Sequence, residues 1–344
     1  MLLSIVMVAI LLIITLPRIR IKDCQYDKNI ISIDESTCLK GIMCVCIFLH
    51  HFSGWIIPQT PVIYFFSHCG SFMVSVFFFL SGYGLKISTS KKALNKSFLP
   101  KRLVKILVPY WICEIIYICF NKFLSVGSDI DLSLTNILLS IFTLRDVVMF
   151  SWYVTATVFL YLVFFFTSKI KKANHTLCVF VILVSAFAFV PDLWTTFVAF
   201  PLGMLVAQKE NIFSKLCNKK YGLLLVCTII LTIVAIVPKY IGQTLNNQIM
   251  MNISDATSGS LFAFIVFLII IKVEIKNKIL LFLGKISYEF YLLHGLMIFF
   301  VNKFIGIESP VAFCLISLVS IIISSSIVNL IQKRITNLTN KKLS

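Results

Sequence analysis

Eleven stretches of this chain are long and apolar enough to cross a hydrocarbon core of about 30 Å, which takes roughly 17–25 residues of helix. They fall near 1–17, 38–57, 63–85, 103–120, 151–168, 174–190, 192–207, 221–238, 256–273, 285–302 and 310–331. Lipid offers the backbone no hydrogen-bond partner, so each stretch has to satisfy its own N–H and C=O groups, and a helix is how a single segment does so. The expected fold is therefore all-α: a polytopic integral membrane helix bundle with about eleven transmembrane helices. Composition agrees, since 59% of the 344 residues are hydrophobic and 13% are charged. A soluble domain has about 45–50% and 25%. The 192–207 stretch is short, and 174–207 could form one re-entrant unit; two crossings are the reading adopted.

The charged residues set the direction of threading. A net charge of +17 raises the question of nucleic acid, but Lys and Arg sit in short segments between apolar runs and build no basic, aromatic-interleaved face. That is how topology-setting charge at the cytosolic membrane surface is distributed, and no nucleic-acid partner is expected. With the N-terminus outside and the C-terminus cytosolic, 27 of the 31 Lys and Arg fall on the cytosolic side, and only Lys122, Arg145, Lys239 and Lys303 fall outside. One missing crossing would scramble that asymmetry.

The opening segment MLLSIVMVAILLIITLP lacks a basic n-region and a small-residue cleavage site, so it reads as a retained helix and not a signal peptide. The 11 cysteines lie mostly in apolar spans, where Cys behaves as a small apolar residue. Cys44 and Cys46 diverge on a helix, and neither a disulfide framework nor a metal site is expected. Of the outer segments, 121–150 is among the longest, and its NILLSIFTLRDVVMF portion reads as amphipathic or re-entrant.

Ionisable side chains are expensive in hydrocarbon, so those inside the apolar stretches are the first candidates for chemistry. In KGIMCVCIFLHHF, Lys40 and His51 are eleven residues apart. Eleven residues make three helical turns plus about 20°, placing both on one face about 16 Å apart, with His50 about 80° away. Lys40 at the cytosolic edge puts His51 in the middle to outer half of the bilayer. An imidazole titrates near neutrality and can act as a general base. Lys40 reads equally well as a side chain that snorkels to the surface.

A second cluster lies in GKISYEFYLLHG, where Ser287 and His294 share a face, Tyr291 lies within about 60° of His294, and Glu289 points elsewhere. A hydrogen-bonded structural histidine is the alternative there. Two mid-depth histidines on separate helices suggest one polar cavity between them. Ser81-Gly82 in FFFLSGYGLKIS permits close backbone approach or local unwinding. Lys101, Arg102 and Lys105 follow in PKRLVKILVPYW, placed to meet phosphates of a cytosolic ligand or anionic lipid head groups. Trp152 and Tyr153 open the 151–168 stretch as an interfacial aromatic belt would, and FPLGML puts a Pro and a Gly within a span.

Taken in order, these segments resemble the membrane-bound acyltransferase 3 family. The resemblance rests on LKGIMCVCIFLHHF (a basic residue, ten residues, then a His), FFFLSGYGL, KRLVKILVPYW, SWYVTATVFLYL, FPLGML and ISYEFYLLHG. It divides the chain into an added N-terminal helix and cytosolic linker (1–32), a ten-helix acyltransferase core (33–332) and a basic cytosolic tail (333–344). It implies transfer of an acyl group, usually acetyl, from cytosolic acetyl-CoA to a hydroxyl of an extracytoplasmic glycan or lipid-linked sugar, in a bacterial plasma membrane. Acyl-CoA is then a co-substrate, and no bound cofactor is implied.

By this resemblance His51 is the catalytic base, Lys40 stands where the family usually has Arg, and Ser81 and Gly82 match its Ser-Gly signature. Lys101, Arg102 and Lys105 would meet the acyl-CoA phosphates. His294 and Tyr291 would orient the acceptor or stabilise the oxyanion, with Ser287, Trp152 and Tyr153 counted among the substrate-binding residues. Lys in place of Arg loses bidentate recognition. The helix at 151–168 lacks the acidic residue common in the polysaccharide-acetylating branch, so the chain looks closer to the sugar O-acetylase-like branch. No esterase-like domain is appended, so a second-stage acyl carrier would be another protein. A transporter or flippase of lipid-linked sugars, or a membrane glycan polymerase, is the competing reading; the first is disfavoured by the lack of an inverted repeat or paired broken helices.

Overall fold

The computed structural model describes residues 1–343 apart from 17–18, 23–29, 58–59, 92–93, 96, 127–129, 171–173, 187–191 and 306–308. Arg18, Lys28, Lys92, Lys96, Lys171 and Lys172 of the basic loops therefore lie outside the described residues. In chain order the elements are α1 (Leu2–Thr15), β1 (Ile19–Ile21), α2 (Ile33–Ser53), α3 (Pro61–Ser67), α4 (Gly70–Lys91), α5 (Phe98–Leu124), α6 (Leu134–Ile141) and α7 (Trp152–Thr167). There follow α8 (His175–Ala186), a 3₁₀ segment (Asp192–Val198), α9 (Ala199–Gln208), α10 (Glu210–Thr244), α11 (Gln248–Lys272), β2 (Val273–Ile275), α12 (Lys278–Lys285), α13 (Ser287–Ile305) and α14 (Pro310–Leu343).

Helix α2, α4, α5, α11, α14 and the Lys219–Thr244 part of α10 are each long and apolar enough to cross a membrane. The pair α12 and α13 passes the same test together but is bent by 74°. Helices α1, α7, α8 and the 3₁₀ segment with α9 are apolar but shorter. The protein is thus an all-α polytopic membrane protein, and helix lies on every one of the eleven apolar stretches.

Several boundaries differ from the sequence reading for physical reasons. The stretch at 63–85 is not one helix, because α3 stops at Ser67 and α4 starts at Gly70. Thr60 caps α3 through Ile63 N–H, with Pro61 at the first turn. At the other end of α3 the imidazole of His50 takes up a place at the break: its Nδ1 is 3.0 Å from Phe66 O. The last helix carries on past 331 to Leu343, since QKRITNLTNKKL contains neither Pro nor Gly and its basic residues suit a helix C-terminus. A short β1–β2 antiparallel ribbon pairs Ile19 with Ile275 and Ile21 with Val273, joining segments read as plain linkers.

Helix α2 is the centre of the bundle, packed against α3, α4, α12 and α13. Its start is fixed by a capping box in which Ser32 Oγ accepts from Glu35 N–H and Glu35 accepts from Ser32 N–H. Glu35 also pairs with Lys22, and Asp34 pairs with Lys276 at 2.7 Å. These contacts and the β ribbon gather residues 19–22, 34–35 and 272–277 at one end of the bundle. At the opposite end Lys239 pairs with Asp255 at 2.8 Å, and Lys303 Nζ donates to Leu124 O at 2.7 Å.

Candidate active site

Two of the cavities formed by the described residues lie toward opposite ends of the bundle. The inner cavity, about 450 Å³, opens near the end that carries the β ribbon and is lined by Lys40, Lys105, Lys285 and Lys333 among others. The outer cavity, about 340 Å³, is lined by His50, His51, Phe150, Trp152 and the Lys239–Asp255 pair. Ile47, Val74 and Tyr291 belong to both walls, so a thin septum of three side chains separates them.

The inner cavity is rich in positive charge. Among the described residues none of its four lysines makes an ion pair. The break between α12 and α13 turns the N-terminus of α13 toward it, so Ser287, Tyr288 and Glu289 all line the wall. A helix N-terminus adds N–H donors and partial positive charge. A broken span is tolerated in lipid where it lines a cavity in this way. Glu289 accepts from Asn329 Nδ2 at 2.9 Å. Helical phase set Glu289 off the Ser287–His294 face, yet it reaches the same cavity because the wall wraps around the first turn of α13.

On the outer side the histidines divide their work. His50 Nδ1 sits on Phe66 O, which only accepts, so Nδ1 carries the proton. A side-chain carbon at Gly70 would lie 2.4 Å from His50 Cδ2, so the ring is wedged where α4 begins. His51 instead stacks on Phe150, ring centroids 3.8 Å apart, and lies 4.9 Å from the His294 ring. His294 is fully buried and lines neither cavity. Its Nδ1 donates to Tyr291 O at 2.5 Å, which leaves Nε2 as a bare acceptor with no hydrogen-bond partner among the described residues. An unpartnered polar atom in such a place usually has a role.

The expected site residues are thus brought together in two groups. Lys40, Lys105, Ser81, Tyr153, Ser287 and Tyr291 line the inner cavity, and His51 and Trp152 line the outer one with Tyr291 between. His294 stands behind His51. Gly82 faces away from the cavities: a side-chain carbon there would meet Phe200 O at 2.0 Å, so Gly82 serves close helix approach while Ser81 lines the inner cavity, and α4 is not unwound. Arg102 lies over the Phe98 ring at 5.7 Å, and neither it nor Lys101 lines the inner cavity. Sequence spacing missed Phe150, Asn329, Lys285 and Lys333; only the positive net charge hinted at the lysines. No group of three His, Cys, Asp or Glu side chains able to hold a metal occurs among the described residues.

The fold is a polytopic membrane bundle with a lysine-lined cavity at one end and a histidine-lined cavity at the other. The acyltransferase domain of the acyltransferase 3 family matches residues 31–329, and the chain belongs to that family. It is a membrane acyltransferase. Neither a curated protein nor a solved structure matches it.

Proposed function

We propose that the protein moves an acyl group, acetyl in the first instance, from cytosolic acyl-CoA to a hydroxyl of an extracytoplasmic glycan or lipid-linked sugar. The observation that carries this reading is the pair of cavities meeting at Ile47, Val74 and Tyr291, with lysines in one and His51 in the other. Acyl-CoA phosphates are held by Lys40, Lys105, Lys285 and Lys333, and the thioester reaches the septum. Arg102 and Lys101 act at the cavity approach.

His51 takes the proton of the acceptor hydroxyl as general base. The acceptor oxygen attacks the thioester carbonyl, the C–S bond breaks, and the leaving CoA thiolate recovers the proton from the imidazolium. The N-terminus of the enzyme then lies outside and its C-terminus in the cytosol of a bacterial cell.

The test is His51→Ala with membrane insertion verified. Radiolabelled acetyl-CoA supplied to host membranes should leave base-labile label on glycan with the wild type and at least about a hundredfold less with the variant. Wild-type labelling by His51→Ala removes the base from this scheme. Purified protein that moves lipid-linked sugar without consuming thioester would favour a transporter instead.

A further inference from the structure

Phe150 occupies an unusual backbone position for a bulky residue, with φ of 62° in the left-handed region. Such a conformation persists only where surrounding contacts impose it. Here Tyr291 Oη donates to Phe150 O at 2.7 Å. The same segment is braced by Ser151 Oγ donating to Asp146 Oδ1 at 2.5 Å and by Thr155 Oγ1 donating to Thr143 O at 2.6 Å. Residue 295 is a glycine, and a side-chain carbon there would meet Phe150 Cε2 at 3.1 Å. The product of these constraints is one aromatic plane laid against both histidines: 3.8 Å from His51 with the planes 29° apart, and 5.2 Å from His294 with the planes 16° apart.

We propose that Phe150, tethered by the Tyr291 hydroxyl, is a positioning residue that fixes the imidazole plane of His51 at the wall of the outer cavity. A phenylalanine needed only to fill space would have no use for a strained backbone, a dedicated tether and a cleared seat. Stacking covers one face of the imidazole and leaves its edge, where the nitrogens are, as the part that meets an acceptor hydroxyl. General-base catalysis depends on that edge being aimed, because small misplacements of a reacting group lower rates steeply. The proposal rests on His51 being the base.

The experiment measures kcat and KM for acetyl-CoA in host membranes carrying Phe150→Ala, Phe150→Leu, Phe150→Tyr, Tyr291→Phe or His51→Ala at matched levels. Phe150→Ala should lower kcat by about ten- to a hundredfold with KM unchanged, from lost orientation alone. Phe150→Tyr, which keeps the flat ring, should restore kcat, and Phe150→Leu, which keeps apolar bulk without the plane, should not. A Phe150→Leu enzyme as fast as wild type overturns the proposal, as does a wild-type rate for Phe150→Ala beside an inactive His51→Ala. An active His51→Ala removes the base reading and this proposal together. If Phe150→Ala does not fold, Phe150→Leu beside Phe150→Tyr decides: a lower kcat at unchanged KM for the Leu variant alone supports the proposal and equal rates refute it, while an unchanged kcat for Tyr291→Phe refutes the tether.

Discussion

Lys40 and His51 share one face of α2, yet the face opens into two different compartments, and the proposed roles follow that separation. Lys40 looks into the inner cavity with Lys105, Lys285 and Lys333, and none of the four makes an ion pair within 4 Å among the described residues, although Glu289 lines the same wall. Unpaired ammonium groups around a concave site attract phosphate, and a charge-assisted contact contributes about 1.5–3 kcal/mol. Lys40→Met should therefore raise KM for acetyl-CoA about tenfold, equivalent to about 1.4 kcal/mol, while kcat changes little. Lys40→Arg should stay near wild type, because charge at that depth matters more than a bidentate fork. Initial-rate kinetics in nanodiscs check this, and an unchanged KM for Lys40→Met would reduce Lys40 to a snorkelling side chain. The shared face was legible from spacing alone. The septum was not, because Ile47, Val74 and Tyr291 come from three helices whose mutual placement no single-helix wheel contains.

Between α4 and α9 the backbones nearly touch. A side-chain carbon at Gly82 would lie 2.0 Å from Phe200 O, and one at Gly203 would lie 2.1 Å from Phe79 O, so each helix presents its glycine to the other's carbonyls. Lipid gives no hydrophobic drive for helices to associate, so close packing through small residues supplies much of the attraction. Gly82→Val should force the helices apart, costing about 1–3 kcal/mol, and should lower the melting midpoint of the detergent-solubilised protein. Gly84, two residues on, has nothing within 4 Å of an added carbon, and Gly84→Ala should be neutral or stabilising by up to about 1 kcal/mol. Equal melting of Gly82→Val and wild type would refute the tight crossing. Helix positions were readable from hydropathy because crossing length and apolarity leave a lipid-embedded segment little choice. The α3–α4 break and the 74° bend before α13 were not, since each is made where the chain meets another helix, His50 against Phe66 in the first case.

The charge asymmetry of the whole chain and its tertiary contacts agree on which loops share an end. Residues 19–21 pair with 273–275, Lys276 with Asp34 and Lys22 with Glu35, all from loops the positive-inside count assigned to one side. Lys239 with Asp255, and Lys303 with the end of α5, belong to loops assigned to the other. An odd number of crossings separates the two sets wherever they adjoin, so a single miscounted crossing between residues 38 and 302 would have split one of these pairs across the bilayer. The lysine cavity lies at the first end and the His51 cavity at the second, which ties orientation to the proposed chemistry: a cytosolic acyl-CoA donor requires the first end to face the cytosol. Exposed positions test this directly. In intact cells a membrane-impermeant maleimide should label Thr135→Cys and Gln243→Cys, and should reach Arg20→Cys and Lys278→Cys only after the cells are opened, each read against the wild-type background. The reverse pattern would put the lysine cavity outside, beyond the reach of a cytosolic donor, and the direction of transfer proposed here would fail with it. Arg20→Cys and Lys278→Cys labelling from opposite sides would instead contradict the β1–β2 ribbon, since strands paired in register cannot lie on two sides of one membrane.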